Sequence, residues 1–294
     1  MAKPEGTIGI IGIGQLGLVV ATNLLQAGFK VVGYRRHDRE EFVRRGGIAL
    51  DSPAAIVQEA DLVLLCLPSE AASQEVLEGN NGILGALGPR HIVVEMGTYG
   101  KAFKLEQAEK ITATGAKVLE AEISGSPPMV AAHKAAAYVG GDAGVLEACR
   151  PMLEAITPNL FHLGEYGKAV SMKLIANYLL AIHTLAAAEA MNMGARAGFD
   201  PKLVAEVIQK GAGGSAMFGV RAPLMASRAF SPAPGPFTTL EKYLHLGRAM
   251  ADELGCATPL FSAASPYFER ALAGGMGEED IAAVIKLIEA DSKP

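Results

Sequence analysis

The 294-residue chain is 50 % hydrophobic and 19 % charged, with a net charge of −5, a composition that belongs to a globular protein and excludes a disordered one. Its length gives room for two domains with sizeable cores, and the mild acidity leaves no electrostatic footprint for nucleic acid or an anionic membrane. The three cysteines, Cys66, Cys149 and Cys256, are odd in number and widely spaced, against both a disulfide framework and a zinc site.

The first apolar stretch decides the reading of the N-terminal half. Lys3 ahead of an apolar run could open a secretory signal, but Pro4, Glu5 and the glycines interrupt it, with no small-residue cleavage site after them. "TIGIIGI" reads as a buried strand, and "QLGLVVATNLLQAG" as a helix that Gly28 stops. Between them lies G-x-G-x-x-G in the strand–turn–helix context of a dinucleotide site. Gly12 would make the tight turn, Gly14 would admit a pyrophosphate, and Gly17 would let helix pack on strand. The phosphates would sit on the helix start at Gln15 and Leu16, where the helix dipole favours negative charge.

"KVVGY" is the second strand of this βαβ unit. Arg35 and Arg36 follow it, where a site for NAD carries an acid to hold the ribose. Two guanidiniums there either form a solvated basic turn or hold a 2′-phosphate, and the second reading predicts NADP(H) as cofactor. "DLVLLCLP" is a near-continuous apolar strand, as in a sheet buried on both faces, with Cys66 as a small core residue. "HIVVEMG", a helix over about 101–114, the strands "AKVLEAEISG" and "KAAAYVGG", the helix "DAGVLEACRPMLEAI" and the short strand "NLFHLG" follow. Such alternation predicts an α/β, Rossmann-type doubly wound sheet with right-handed crossovers.

Beyond Gly164 the strand signal ends, which predicts an all-α C-terminal domain over 165–294 after a dinucleotide-binding domain over 1–164. A long interdomain helix over about 167–197 joins them, on the order of 45 Å in length. "DPKLVAEVIQKG" follows, with Asp200 as N-cap and Pro201 in the first turn, then "LEKYLHLGRAMADELG" and "EEDIAAVIKLIEA". The Pro-rich "SPAPGPF" is a rigid connector. No apolar run is long enough to span a bilayer, so the chain is expected to be reduced and cytoplasmic.

The start of the long helix carries the chemistry. Lys173 and Asn177 are four apart and share a face. Met172, Leu174 and Ile175 flank the lysine; apolar company lowers its pKa and suits it to proton transfer. From this helix alone, a lysine that carries its amine to the surface fits better.

Several ordered motifs together resemble the β-hydroxyacid dehydrogenase family, over nearly the whole chain. "GIIGIGQLG" and "NLLQAGFKVVGYRR" are similar to its cofactor half, and "VVEMGTYG" to its D-M-S-T segment with Thr98 as the threonine. "EAEISGS" resembles D-A-P-V-S-G-G, "GKAVSMKLIAN" resembles the G-x-x-x-K-x-x-x-N helix, and "LEKYLHL" falls at K-D-L. The resemblance implies Lys173 as general acid in reduction and general base in oxidation, with Asn177 orienting the substrate hydroxyl. It implies Ser124, Gly125 and Ser126 as the substrate-carboxylate segment, and Lys242 as a residue that closes the site on substrate and cofactor. Leu67, Pro68 and Thr98 join the cofactor set. The substrate is then a small β-hydroxy acid or semialdehyde bound between the domains, and the assembly a homodimer or homotetramer.

Departures from the pattern sit in the substrate half. Glu122 stands for a proline, Ser126 for a glycine, Gly97 for a serine and Tyr243 for an aspartate; Pro127 and Pro128 remove backbone donors. Glu122 either adds negative charge near the substrate or faces the surface. With Met129 and Tyr243 as apolar surface, the pocket is expected to prefer a longer or less charged carbonyl compound to tartronate semialdehyde. Two rivals remain: a reductase of cyclic imines, against which Lys173 counts, and a non-catalytic cofactor-binding module, against which the Lys173/Asn177 pair counts.

Overall fold

The computed structural model describes residues 6–293; Lys3, Pro4 and Glu5, on which the secretory-signal reading turned, lie outside them. β1 (Thr7–Ile11) leads into α1 (Gln15–Gln26), and β2 (Lys30–Tyr34) completes the first βαβ unit. Short α2 (Glu40–Arg44), β3 (Ile48–Ala49) and α3 (Pro53–Glu59) precede β4 (Leu62–Leu65), α4 (Glu70–Glu78) and β5 (Ile92–Glu95). α5 (Lys101–Ala113), β6 (Lys117–Ser124), α6 (Pro127–Ala131), β7 (Ala136–Gly141), α7 (Ala143–Ile156) and β8 (Asn159–His162) follow. The strands form one eight-stranded sheet in the order β3-β2-β1-β4-β5-β6-β7-β8.

β4 shows why the sheet needs two covering layers. Leu64 packs into the core formed with α1 and α7, while Val63 and Leu65 pack into a second core with Ile56, Val57 and Val76. All three side chains are fully buried. Neighbouring strands are parallel except at one place, where β6 and β7 pair antiparallel, Glu122 opposite Tyr138. The alternation of strands and helices did not foretell this one antiparallel step. The link over residues 125–135 is too short for a parallel return, which needs about a dozen residues or more.

α8 (Lys168–Arg196) is the long helix, and the two compact units of the chain divide within it, after Lys173. By length and a mean hydropathy of 1.4 over its most apolar window it would suffice to cross a membrane, contrary to the expectation from apolar runs. Alanines raise the mean without making a continuous apolar run, and Lys173, Asn177 and Thr184 are buried along it as polar residues of a folded core.

The second unit continues with α9 (Pro201–Lys210), α10 (Ala216–Ser227), α11 (Phe237–Glu253), α12 (Pro259–Ala273) and α13 (Ile285–Asp291). Asp200 caps α9, accepting from the N–H groups of Lys202 and Leu203. Phe218, Phe237, Phe261 and Phe268 anchor this unit's core. The Pro-rich connector is pinned by a buried pair: Arg221 donates to Asp280 at 2.5 Å, and the same carboxylate accepts from Gly235 N–H at 3.0 Å. α10 and α12 were not foreseen, since Pro223 and Pro266 inside them interrupt the helical pattern.

Candidate active site

The glycine turn is built by sterics. Gly12 has φ +103°, and a Cβ there would lie 2.3 Å from the carbonyl oxygen of Cys66. A Cβ on Gly17 would lie 2.1 Å from the carbonyl oxygen of Gly12, so helix and strand touch backbone to backbone. Gly14 differs: a Cβ would meet nothing within 4 Å. Gly14 is also the N-cap of α1 and brings no side-chain hydrogen bond to it, whereas Ser52, Ser69, Asp142, Asp200 and Ser215 cap their helices. An uncapped helix start, with Gln15 exposed and Leu16 half-buried beside an open glycine, fits a pyrophosphate.

Arg35 and Arg36 emerge exposed from the carboxyl end of β2. Arg36 reaches Glu75 at 2.9 Å and Arg35 stands 3.8 Å from Asp38, both pairs open to solvent and therefore cheap to exchange for a phosphate. Arg39, which the sequence did not single out, holds this turn: its guanidinium lies 5.2 Å over the Tyr34 ring and donates to the Leu50 carbonyl at 3.0 Å. At the end of β4, the Leu67 carbonyl accepts from the Tyr99 hydroxyl at 3.0 Å, next to the exposed Pro68. That tyrosine explains Gly97, because a Cβ there would sit 2.1 Å from its oxygen.

Behind the ends of β5 and β6 lies a buried charge cluster. Lys104, on α5, donates to Glu122 Oε1 at 2.5 Å and to the Gly97 carbonyl at 2.9 Å, and pairs with Glu120 Oε2 at 3.3 Å. Glu122 Oε2 accepts from the Thr98 hydroxyl at 2.5 Å. Glu120 Oε1 accepts from Gly167 N–H at 2.6 Å and Ala169 N–H at 2.8 Å, which ties β6 to the first turn of α8. Glu122 is fully buried, which rules out the surface position considered for it, and its carboxylate is paired with Lys104. Burial alone would lower the Lys104 ammonium, but Glu122, Tyr166, Glu120 and Glu95 hold it well above its usual range. Burial pushes the Glu95 carboxyl up to about 8, against the pull of Lys104, and pushes the Cys66 thiol up to about 12. The cluster was missed from the sequence, although Glu95 and Glu120, register partners on strands buried on both faces, were a signal that a cation must lie above them.

Lys173 is buried, and its Nζ donates to the carbonyl of Ile123 at 2.7 Å. The next residues are Ser124, half-buried at the end of β6, then exposed Gly125 and half-buried Ser126. Within the first unit the structure therefore brings Lys173 to the substrate segment. Asn177 is one helical turn on, buried, with Nδ2 lacking a hydrogen-bond partner among the described residues. Lys242, on α11, is half-buried with its ammonium 5.3 Å over the Tyr243 ring, and Tyr243 packs against the second unit's core. Met129 is 40 % exposed.

A Rossmann sheet with an open phosphate turn, and a buried lysine at the end of β6, define a dinucleotide-dependent oxidoreductase. The chain matches two family profiles: the NAD binding domain of 6-phosphogluconate dehydrogenase over residues 7–164, and the NAD-binding domain of NADP-dependent 3-hydroxyisobutyrate dehydrogenase over 167–288. L-threonate dehydrogenase of Cupriavidus necator is 32 % identical over 283 residues, spanning 95 % of each chain. NAD-dependent L-serine dehydrogenase of Pseudomonas aeruginosa is 31 % identical over 294 residues, 96 % of this chain and 97 % of its own. The solved 3-hydroxyisobutyrate dehydrogenase of Salmonella typhimurium superposes with a TM-score of 0.87 at 27 % identity, covering 96 % of this chain and 100 % of that one. The protein belongs to the β-hydroxyacid dehydrogenase family, as an NAD(P)-dependent oxidoreductase of the 3-hydroxyacid type.

The cluster predicts a pH dependence of stability. The Glu95 carboxyl rises from 4.5 to about 8 on folding, so the folded state holds a proton that the unfolded chain releases. Its contribution is fully present below pH 4.5 and is lost as pH rises through about 8. Glu95→Gln, which keeps an acceptor for Gly97 N–H, should remove that slope. Thermal melts from pH 5 to 8.5 should show the variant gaining on the parent as pH rises; parallel curves would refute the assignment.

Proposed function

We propose that the protein is an NADP(H)-dependent enzyme that moves hydride between the nicotinamide and a small 3-hydroxy acid or its semialdehyde, with Lys173 as general acid and base. The observation that carries this reading is the seat of Lys173: a buried amine fixed on the Ile123 carbonyl, one residue from Ser124. A bound dinucleotide supplies or takes the hydride. Lys173 gives a proton to the carbonyl oxygen in reduction and takes it from the hydroxyl in oxidation. Asn177, with an amide nitrogen unsatisfied among the described residues, orients that same oxygen, and Ser124 with the Gly125 backbone holds the carboxylate. A proton donor held beside the carboxylate segment favours a carbonyl acid over a cyclic imine. Lys173→Ala should lower kcat by about a hundredfold or more with NADPH affinity unchanged, and Lys173→Arg should not restore it. Near-parental turnover in either variant would remove the lysine from the mechanism.

The preference for NADP(H) rests on Arg35 and Arg36, whose solvent-open partners leave both free to turn to a 2′-phosphate. Losing a charge-assisted contact of this kind costs about 1.5–3 kcal/mol, roughly ten- to a hundredfold in affinity. Titrations following NADPH and NADH fluorescence should show that preference in the parent and its loss in Arg35→Ala/Arg36→Ala. Equal affinities in the parent would overturn it.

The same reading includes a homodimer or homotetramer. α8 exposes Ile175, Leu179 and Met193, and α9 exposes Leu203 and Val207, apolar surface that a symmetric partner would cover. Light scattering at micromolar concentration should report at least a dimer; a monomer would sink this part of the proposal.

A further inference from the structure

Thr98 lies three residues beyond β5, at the same carboxyl edge of the sheet as the glycine turn. In a sheet of this order the phosphates sit over the β1 turn and the adenosine over β2, so the nicotinamide half lies over β4 and β5. A threonine hydroxyl has one proton and two acceptor lone pairs. Here the proton is committed, because Thr98 Oγ1 donates to Glu122 Oε2 at 2.5 Å. The carboxylate that takes it cannot turn away. Its other oxygen is held at 2.5 Å by Lys104, which is itself fixed by the Gly97 carbonyl and by Glu120. We propose that Glu122, anchored by Lys104, is a positioning residue that makes the Thr98 hydroxyl an acceptor only toward the nicotinamide half of the cofactor. This rests on the dinucleotide reading above and assigns to the Lys104–Glu122 pair a task beyond holding the fold. Replacing a buried ion pair by well-packed apolar residues of similar volume is often neutral or stabilising, so stability is weak ground for the presence of this one.

The geometry supplies a probe that is nearly isosteric. Lys104 has donors only, so in Glu122→Gln the amide oxygen must face it and the amide NH2 must face Thr98. The threonine then accepts from residue 122, and its own proton is released toward the cofactor. Polarity reverses with shape conserved. NADPH affinity is measured by the cofactor's own fluorescence, since the chain has no tryptophan, for the parent, Glu122→Gln, Thr98→Val and the double variant. Glu122→Gln should weaken NADPH about tenfold when Thr98 is present and less than twofold in the Thr98→Val background, a coupling that a merely structural role would not produce. Equal effects in both backgrounds, or none in either, would overturn the proposal. If Glu122→Gln does not fold, Lys104→Met/Glu122→Leu, which removes both charges together, enters the same cycle, where additive effects again refute it. A protein that binds neither NADPH nor NADH overturns the dinucleotide reading and this inference with it; NADPH binding with additive effects overturns this inference alone.

Discussion

One buried ammonium organises the sheet edge of the first unit. Lys104 lies among Glu95, Glu120 and Glu122 with no solvent to screen any of them, and an isolated charge at such depth would be prohibitively costly. The imbalance of one cation against three acids is reduced to one against two at neutral pH, because burial pushes the Glu95 carboxyl up to about 8 and it keeps its proton. What remains is a lysine shared by two carboxylates, each with a second duty. Glu120 holds the N–H groups of Gly167 and Ala169, which sets where α8 begins. Glu122 holds Thr98, and Lys104 itself holds the Gly97 carbonyl. Three segments distant in sequence are thus located relative to one another by a single ion, and Lys173 lies one turn into the helix that this ion helps to anchor.

The phosphate end of the dinucleotide reading depends on different physics. At Gly12 and Gly17 contact between backbone atoms leaves no room for a side chain, and at Gly14 empty space and an uncapped helix start leave room for an anion. Arg35 and Arg36 are exposed and loosely paired, so their contribution is set by solvent and salt as much as by geometry. The glycine turn is a mould in the backbone; the cluster behind β5 and β6 is a buried electrostatic lattice.

This difference decides what could be read from the sequence. The mould is local: strand, G-x-G-x-x-G and helix are contiguous, so the turn and the roles of its glycines were legible. So were α8 and the Asp200 cap, each defined within a few turns of chain. Strand direction was not, because alternation marks a strand without its polarity, and β7 enters antiparallel through a short link. The lattice was not legible either. Alternation places Glu120 and Glu122 on one face of β6, but nothing local says that α5 covers that face or that Lys104 points into it. Glu122 consequently stayed open between two readings; the structure rules out the surface one and pairs the charge of the other with Lys104.

Its burial changes how the departures in the substrate segment act. A free carboxylate near Ser124 would repel an acid substrate through its charge, and no such free charge is present at Glu122. The departures that remain are the added bulk of Ser126 and the missing N–H groups of Pro127 and Pro128, together with the 40 % exposed Met129. Tyr243 offers less apolar surface than expected, since it packs against its own core. Any selectivity of the proposed carboxylate site then comes from the number and placement of hydrogen-bond donors rather than from repulsion. Donor geometry discriminates among acids by the length and placement of the carboxylate, whereas repulsion would reject all of them alike. On the proposed reading a small carbonyl acid is compatible with the segment, and the prolines would restrict which acid by limiting where its oxygens can be met.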